Sequence, residues 1–407
     1  MTERRTVLKL LGATLAAPAI LPAVGRAADA IKIATILDMS GDLDLYGKPM
    51  HLAAEMAVDE INQEGGLNGR QVEIVAYDTQ SNMQLYAQFA QQAALKDRVS
   101  AVHGAITSAS REAIRPILNR YKTLLVYPVQ YEGGVCDKNT FCLGPTPTMQ
   151  VREPLRWMIE KYGKRVFFVG ADYNAPRITA EWTKKYAADF GGEVVAAEFI
   201  PLTVGEFGPV ITKIQQEKPD VIVSMLVGAA HAGFYRQWAG AGLLEKFPIM
   251  SFTFGIGNEH ILLPPADTNG IIAPYDYFQE INTPANKEFL ERLKAKFGAN
   301  APAYVGSTTV AAYYGIKVWA EGVKKAGTDK REAVIAAMES GIEYNGPAGL
   351  TKVNGKTHHA TRDMFLGQLK DGKWDIIQEW PQQSAGDMAD RCDLIANPST
   401  NEQFLPL

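Results

Sequence analysis

The residues best suited to chemistry fall in three short runs, each placed directly after a stretch of β-branched and aliphatic residues. The first is Ile106-Thr107-Ser108-Ala109-Ser110-Arg111, ahead of the helical run EAIRPIL. Ser or Thr at a helix start satisfies orphan backbone amides, and the amides left free can face a ligand oxygen. The second is Tyr127-Pro128-Val129-Gln130-Tyr131-Glu132-Gly133. Its tyrosine hydroxyls and carboxylate are partners for N–H groups, and its rings can wall a small pocket. The third, Ala171-Asp172-Tyr173-Asn174-Ala175-Pro176-Arg177, follows RVFFVG and is expected to face the second across a cleft. This is the chemistry of holding a small polar molecule.

Catalysis finds less support. No serine sits in GxSxG, HExxH is absent, and GIGNEH at Gly255 to His260 lacks the third glycine of a dinucleotide loop. His358-His359 stands in a polar run and reads as solvated rather than metal-ligating. No enzyme activity, cofactor or metal site is expected. A net charge of -4 without a dense Lys/Arg stripe argues against nucleic acid as a partner. Of the three cysteines, Cys136 and Cys142 bracket the loop VCDKNTFC and can close a disulfide in an oxidising compartment. Separate thiols are the alternative, and Cys392 is left over either way.

The N-terminal stretch sets the compartment. Arg4-Arg5 is followed by an apolar, Ala-rich run and small residues between Ala27 and Ala30, the pattern of a twin-arginine secretory signal over 1–30. Pro18 and Pro22 interrupt the run, which falls short of the ~20 apolar residues of a membrane span. An exported, soluble mature chain is expected in the periplasm.

From Ile31 onward, short β-branched runs alternate with helical periods, which predicts an α/β fold with mostly parallel sheets. IKIATI, VEIVAY, VSAVHGA and KTLLVYP read as strands of one doubly wound half. After Pro145 and Pro147 the alternation restarts with RVFFVG, EVVAAEFI, DVIVSML and PIMSFT. The chain is too long for one core, so two Rossmann-like lobes are expected, 31–147 with 276–347 and 148–275 with 348–407, joined by a multi-strand hinge. Asp371-Gly372 between two strand-like runs predicts a tight hairpin in the second lobe. Ligands of open α/β sheets bind beyond the carboxyl ends of the strands, which places all three runs at the cleft.

These features resemble the type I periplasmic-binding fold. Within it, the chain is most similar to the urea and short-chain amide group, through AVDEINQEGGLNGR, TSASREAIRP, LLVYPVQYEGGVCDKN, GADYNAPR, EFIPLTVGEFGPVITKI and KPDVIVSMLVG. The resemblance implies that Ser108 and the loop at Ile106 receive the ligand oxygen. It implies that Tyr127, Val129, Gln130 and Glu132 line one wall, that Tyr173 closes from the other lobe, and that Phe252 to Gly255, with Thr253 and Phe254, form a further wall. The implied function is capture of urea or a short-chain amide for an ABC importer, with its permease and ATPase as partners. A branched-chain or other amino acid is the alternative ligand, and a cytoplasmic amide sensor is an alternative of another class, against which the Arg4-Arg5 signal stands. The chain departs from the group at Ala175, where a second aromatic is usual, and in SFTFGIGNEH, where an acid-rich stretch is expected and Glu259 is the acid present.

Overall fold

A computed structural model describes residues 29–202, 204–387 and 389–406. Apart from Asp29 and Ala30, the predicted export signal lies outside the described residues. Among them, no helix is long and apolar enough to cross a membrane.

The first group of strands is β1 (Ile31–Leu37), β2 (Val72–Asp78), β3 (Ala101–Gly104), β4 (Leu124–Tyr127), β5 (Val135–Asp137) and β6 (Thr140–Cys142). Helices α1 (Asp44–Gln63), α2 (Met83–Gln92) and α3 (Ser108–Arg120) connect them. The second group comprises β7 (Arg165–Ala171), β8 (Glu193–Ile200), β9 (Val221–Met225), β10 (Ile249–Ser251) and β11 (Ile272–Tyr275). Here the helices are α4 (Glu153–Tyr162), α5 (Asn174–Asp189), α6 (Gly208–Glu217), α7 (Ala230–Gly240) and α8 (Pro265–Thr268). The chain ends with α9 (Pro284–Phe297), α10 (Ser307–Ala326), α11 (Arg331–Glu339), β12 (Glu343–Gly346), β13 (Gly349–Asn354), β14 (His359–Lys370), β15 (Lys373–Ser384) and β16 (Asn401–Gln403).

The strand order β2-β1-β3-β4-β6-β14-β11-β10-β9-β7-β8 shows two doubly wound parallel halves meeting at β6 and β14. At the join, β14 pairs with β6 only through His359 and Cys142, while along most of its length it runs antiparallel to β11 and β15. β3, β4 and β9 are buried at every residue, as parallel strands covered on both faces by helices must be. Almost every residue of α10 through Val323 is buried, and the helix packs on α1, β3 and β4. The hairpin turns where the sequence places it: Asp371 and Gly372 both have positive φ, 51° and 75°, matching the right-handed twist of β14 and β15.

Two sequence expectations are corrected. Cys136 is bridged to Cys392, with Cα atoms 5.7 Å apart, and Cys142 is a buried free thiol. The reason is that β16 pairs antiparallel with β5, which brings the C-terminal segment against Cys136, while Cys142 lies on β6 inside the main sheet. His358 and His359 are not solvated: each is 1% exposed. His358 stacks on Phe141 and meets Glu339 at 2.9 Å, and His359 is hydrogen-bonded to Tyr131. Burial pushes the His359 imidazole down to about 4, so it is neutral at ordinary pH.

Candidate functional site

The cleft opens at the carboxyl ends of β1, β3 and β4 on one side and β7, β9 and β10 on the other, where a doubly wound sheet leaves helix starts and loop backbone free. After β3, Thr107 caps α3: its side chain accepts from Ser110 N–H at 3.1 Å, and Ser110 Oγ accepts from Thr107 N–H at 3.0 Å. The Ser108 and Ala109 amides belong to the first-turn donors that a helix cannot satisfy itself. After β1 the chain enters α1, whose Gly47 lies so close to β1 that a Cβ there would stand 2.0 Å from the Asp38 carbonyl oxygen. That approach carries Tyr46 into the cleft.

A cavity of about 40 Å³ lies at the meeting of these ends. Of the expected residues, the structure brings Ile106, Ser108, Tyr127, Val129 and Gln130 together on its wall from the first half, and Tyr173 and Thr253 from the second. Two expected residues are elsewhere. Phe254 is fully buried against His231 and Tyr235. Glu132, also fully buried, turns away to pair with Arg111 at 2.8 Å and to accept the Ser108 hydroxyl. Its carboxylate braces the wall instead of forming it, because a buried charge requires a counter-charge close by. The Arg111 guanidinium lies over the rings of Tyr127 and Tyr131, 5.1 and 4.6 Å from their centroids.

The hydrogen bonds decide what the wall still offers. Tyr127 donates its hydroxyl proton to the Ile106 carbonyl at 2.9 Å, and Ser108 gives its own to Glu132. Ser108 Oγ already accepts from Arg111 Nη1 at 3.1 Å, so it keeps one lone pair, and Tyr127 Oη keeps its acceptor capacity. Gln130 spends its amide N–H on the Phe252 carbonyl across the cleft, and its Oε1 is buried without a partner. Ser108 therefore has no proton left to donate, and the donors beside it are the first-turn backbone amides of α3. Among the described residues, every lining side chain is uncharged.

Tyr46, Thr107, Leu43, Ala175, Met225, Val227 and Ile256 complete the lining. Sequence reasoning missed the role of most of these, although YG after β1 and the loops after β9 and β10 stand at strand ends like the residues it did find. Tyr46 donates to buried Glu259, whose other oxygen accepts the Gly255 and Gly257 amides at 3.2 and 3.1 Å. Burial holds the Glu259 carboxyl up at about 7 despite these bonds. A larger outer chamber of about 350 Å³ shares Leu43, Thr107, Tyr173 and Val227 with the cavity and leads toward solvent.

The sequence profile of the periplasmic binding protein family matches residues 30–373. Leu/Ile/Val-binding protein homolog 6 of Brucella melitensis is 26% identical over 369 residues, covering 89% of this chain and 93% of that protein. The leucine-, isoleucine-, valine-, threonine- and alanine-binding protein of Pseudomonas aeruginosa is 27% identical over 334 residues, 79% of this chain and 85% of that one. In fold, the solute-binding protein of an ABC transporter from R. palustris, solved with 4-hydroxybenzoate, matches with a TM-score of 0.79 at 24% identity, over 89% of this chain and 100% of that one. Neither curated relative is named for urea or an amide, and both names fit the amino-acid alternative better than the amide group the motifs resemble. The family profile's match over most of the chain, together with the fold, shows that it belongs to the periplasmic binding protein family, whose members bind solutes rather than transform them.

Proposed function

We propose that the cavity takes a small neutral solute rich in N–H groups, urea or a short-chain amide, and that the protein passes it to the permease of an ABC importer. The observation that carries this reading is acceptor capacity without charge: Ser108 Oγ, Tyr127 Oη and Gln130 Oε1 each keep a free lone pair on residues that line the cavity, and no charged side chain among the described residues lines it. Urea is planar and neutral, with one acceptor oxygen and otherwise N–H donors, so the first-turn amides of α3 would meet its oxygen. A polar group left unpaired in a closed cleft costs about 1–3 kcal/mol, which gives hydrogen-bond matching its selectivity.

A branched-chain or other amino acid is the second reading, favoured by the names of the curated relatives. Its ammonium would use the same acceptors, with no carboxylate on the cavity wall itself, while the adjoining outer chamber carries Asp38 and Asp42. The two lobes close about the hinge because the second adds contacts to bound ligand, and the closed form docks on the permease. Residues 1–30 direct export to the periplasm by the twin-arginine route, which sets this role apart from cytoplasmic sensing.

Thermal stabilisation of the mature protein by urea, formamide, acetamide, propionamide, leucine, valine and 4-hydroxybenzoate tests the assignment, since a ligand of the native state raises Tm by mass action. A shift with urea or an amide is expected. A shift with leucine or valine alone replaces the first reading with the second, and a shift with 4-hydroxybenzoate alone overturns both.

A further inference from the structure

The C-terminal segment is tied to the ligand loop at successive points. Cys392 is bridged to Cys136, β16 pairs with β5 from Asn401 to Gln403, and Phe404 N–H donates to the Gly134 carbonyl at 2.8 Å. Gly134 makes this approach possible: its φ is +94°, and a Cβ there would lie 2.1 Å from the Phe404 carbonyl oxygen. The tether delivers one side chain inward. Gln403 Nε2 donates to Glu132 Oε1 at 2.6 Å and to the Gly133 carbonyl at 3.0 Å.

Glu132 links this tether to the cavity wall. The oxygen that receives Gln403 also receives Arg111 Nη2 at 2.8 Å, and its other oxygen holds the Ser108 hydroxyl. Arg111 Nη1 in turn donates to Ser108 Oγ at 3.1 Å. Ser108 lines the cavity, so the direction of its proton, and with it the lone pair turned to the ligand, depends on where Glu132 is held. Arg111 lies on the α3 side of Glu132. Gln403 comes from the opposite end of the chain and supplies a donor that fixes the carboxylate without adding charge.

We propose that Gln403, held in place by the Cys136–Cys392 bridge, is a positioning residue for the ligand cavity, orienting Glu132 and through it Ser108. The proposal rests on the reading of the Ser108 cavity as the ligand site. It also gives the disulfide a role beyond fastening this segment, because reduction removes one of the ties on the strand that carries Gln403.

Hydrogen exchange on the full mature chain tests the tether without any ligand. In Gln403→Ala, and separately in the double variant Cys136→Ser with Cys392→Ser, amides of 106–112 should exchange about ten-fold faster, the effect of losing a charge-assisted hydrogen bond behind them. Peptide 31–37 should be unchanged. Faster exchange confined to 389–406 overturns the proposal. Calorimetric titration with urea and with leucine adds a double-mutant cycle: Gln403→Ala should weaken binding of the probe that binds by about ten-fold in the wild-type background, and by less than about two-fold in Ser108→Ala. An equal loss in both backgrounds shows that Gln403 does not act through Ser108. If Ser108→Ala binds both probes as the wild type does, the cavity assignment fails while the exchange result still decides the tether.

Discussion

Glu259 offers a quantitative test of the electrostatics beside the cavity. Its carboxyl is buried at the start of the turn after β10, bonded to Tyr46 and to the Gly255 and Gly257 amides, and held at about 7 against an ordinary 4.5. That difference corresponds to about 3 kcal/mol. The folded protein keeps this proton more tightly than the unfolded chain does, so the contribution is complete below about pH 4.5 and is lost as pH rises to about 7. In Glu259→Gln, the amide nitrogen can donate to Tyr46 while the amide oxygen accepts the two glycine N–H groups, which mimics the protonated acid at every pH. With an unfolding entropy of about 2.1 cal/mol/K per residue, 3 kcal/mol over roughly 380 residues is a Tm difference of about 4 °C. The variant should therefore melt with the wild type near pH 4.5 and about 4 °C above it near pH 7.5, as followed by calorimetry across that range. Parallel Tm profiles for the two proteins would refute the assignment of a buried, proton-holding Glu259.

Other consequences are direct. Peptide mapping of the unreduced protein should recover Cys136 joined to Cys392 and only Cys142 alkylated after unfolding; a Cys136–Cys142 peptide would contradict the pairing of β16 with β5. Ala175→Tyr should restore an aromatic to the cavity wall and fill the space, lowering ligand affinity about ten- to hundred-fold by overpacking in calorimetric titrations; unchanged affinity would move the site elsewhere. Tyr127→Phe removes the hydrogen bond to Ile106 and one cavity acceptor, so affinity should fall about five-fold with circular dichroism unchanged, whereas an equal affinity would remove Tyr127 from the site.

Much of the fold and part of the site are legible in the residue order. Alternating β-branched and helical periods set the doubly wound halves, since parallel strands need apolar runs and crossover helices between them. Asp371-Gly372 announces its hairpin because few other residues accept positive φ at both turn positions. Ser108, Tyr127, Gln130 and Tyr173 could be picked out because they stand at or just after strand ends, where doubly wound sheets leave their cleft.

What depended on partners distant in sequence was decided by the tertiary structure. Glu132 looked like a ligand group until Arg111 and Gln403, 21 and 271 residues away, took its oxygens. Cys136 found Cys392 across 256 residues only because β16 returns to β5, while the nearer Cys142 was carried into the main sheet. Phe254 and Thr253 are chain neighbours, yet one packs in the core and the other lines the cavity, because alternation of side-chain direction is resolved only when the backbone is placed. Residue types along the chain determine which elements form and which groups stand at their ends; which of those groups keep a free lone pair for a ligand depends on hydrogen bonds that only packing creates.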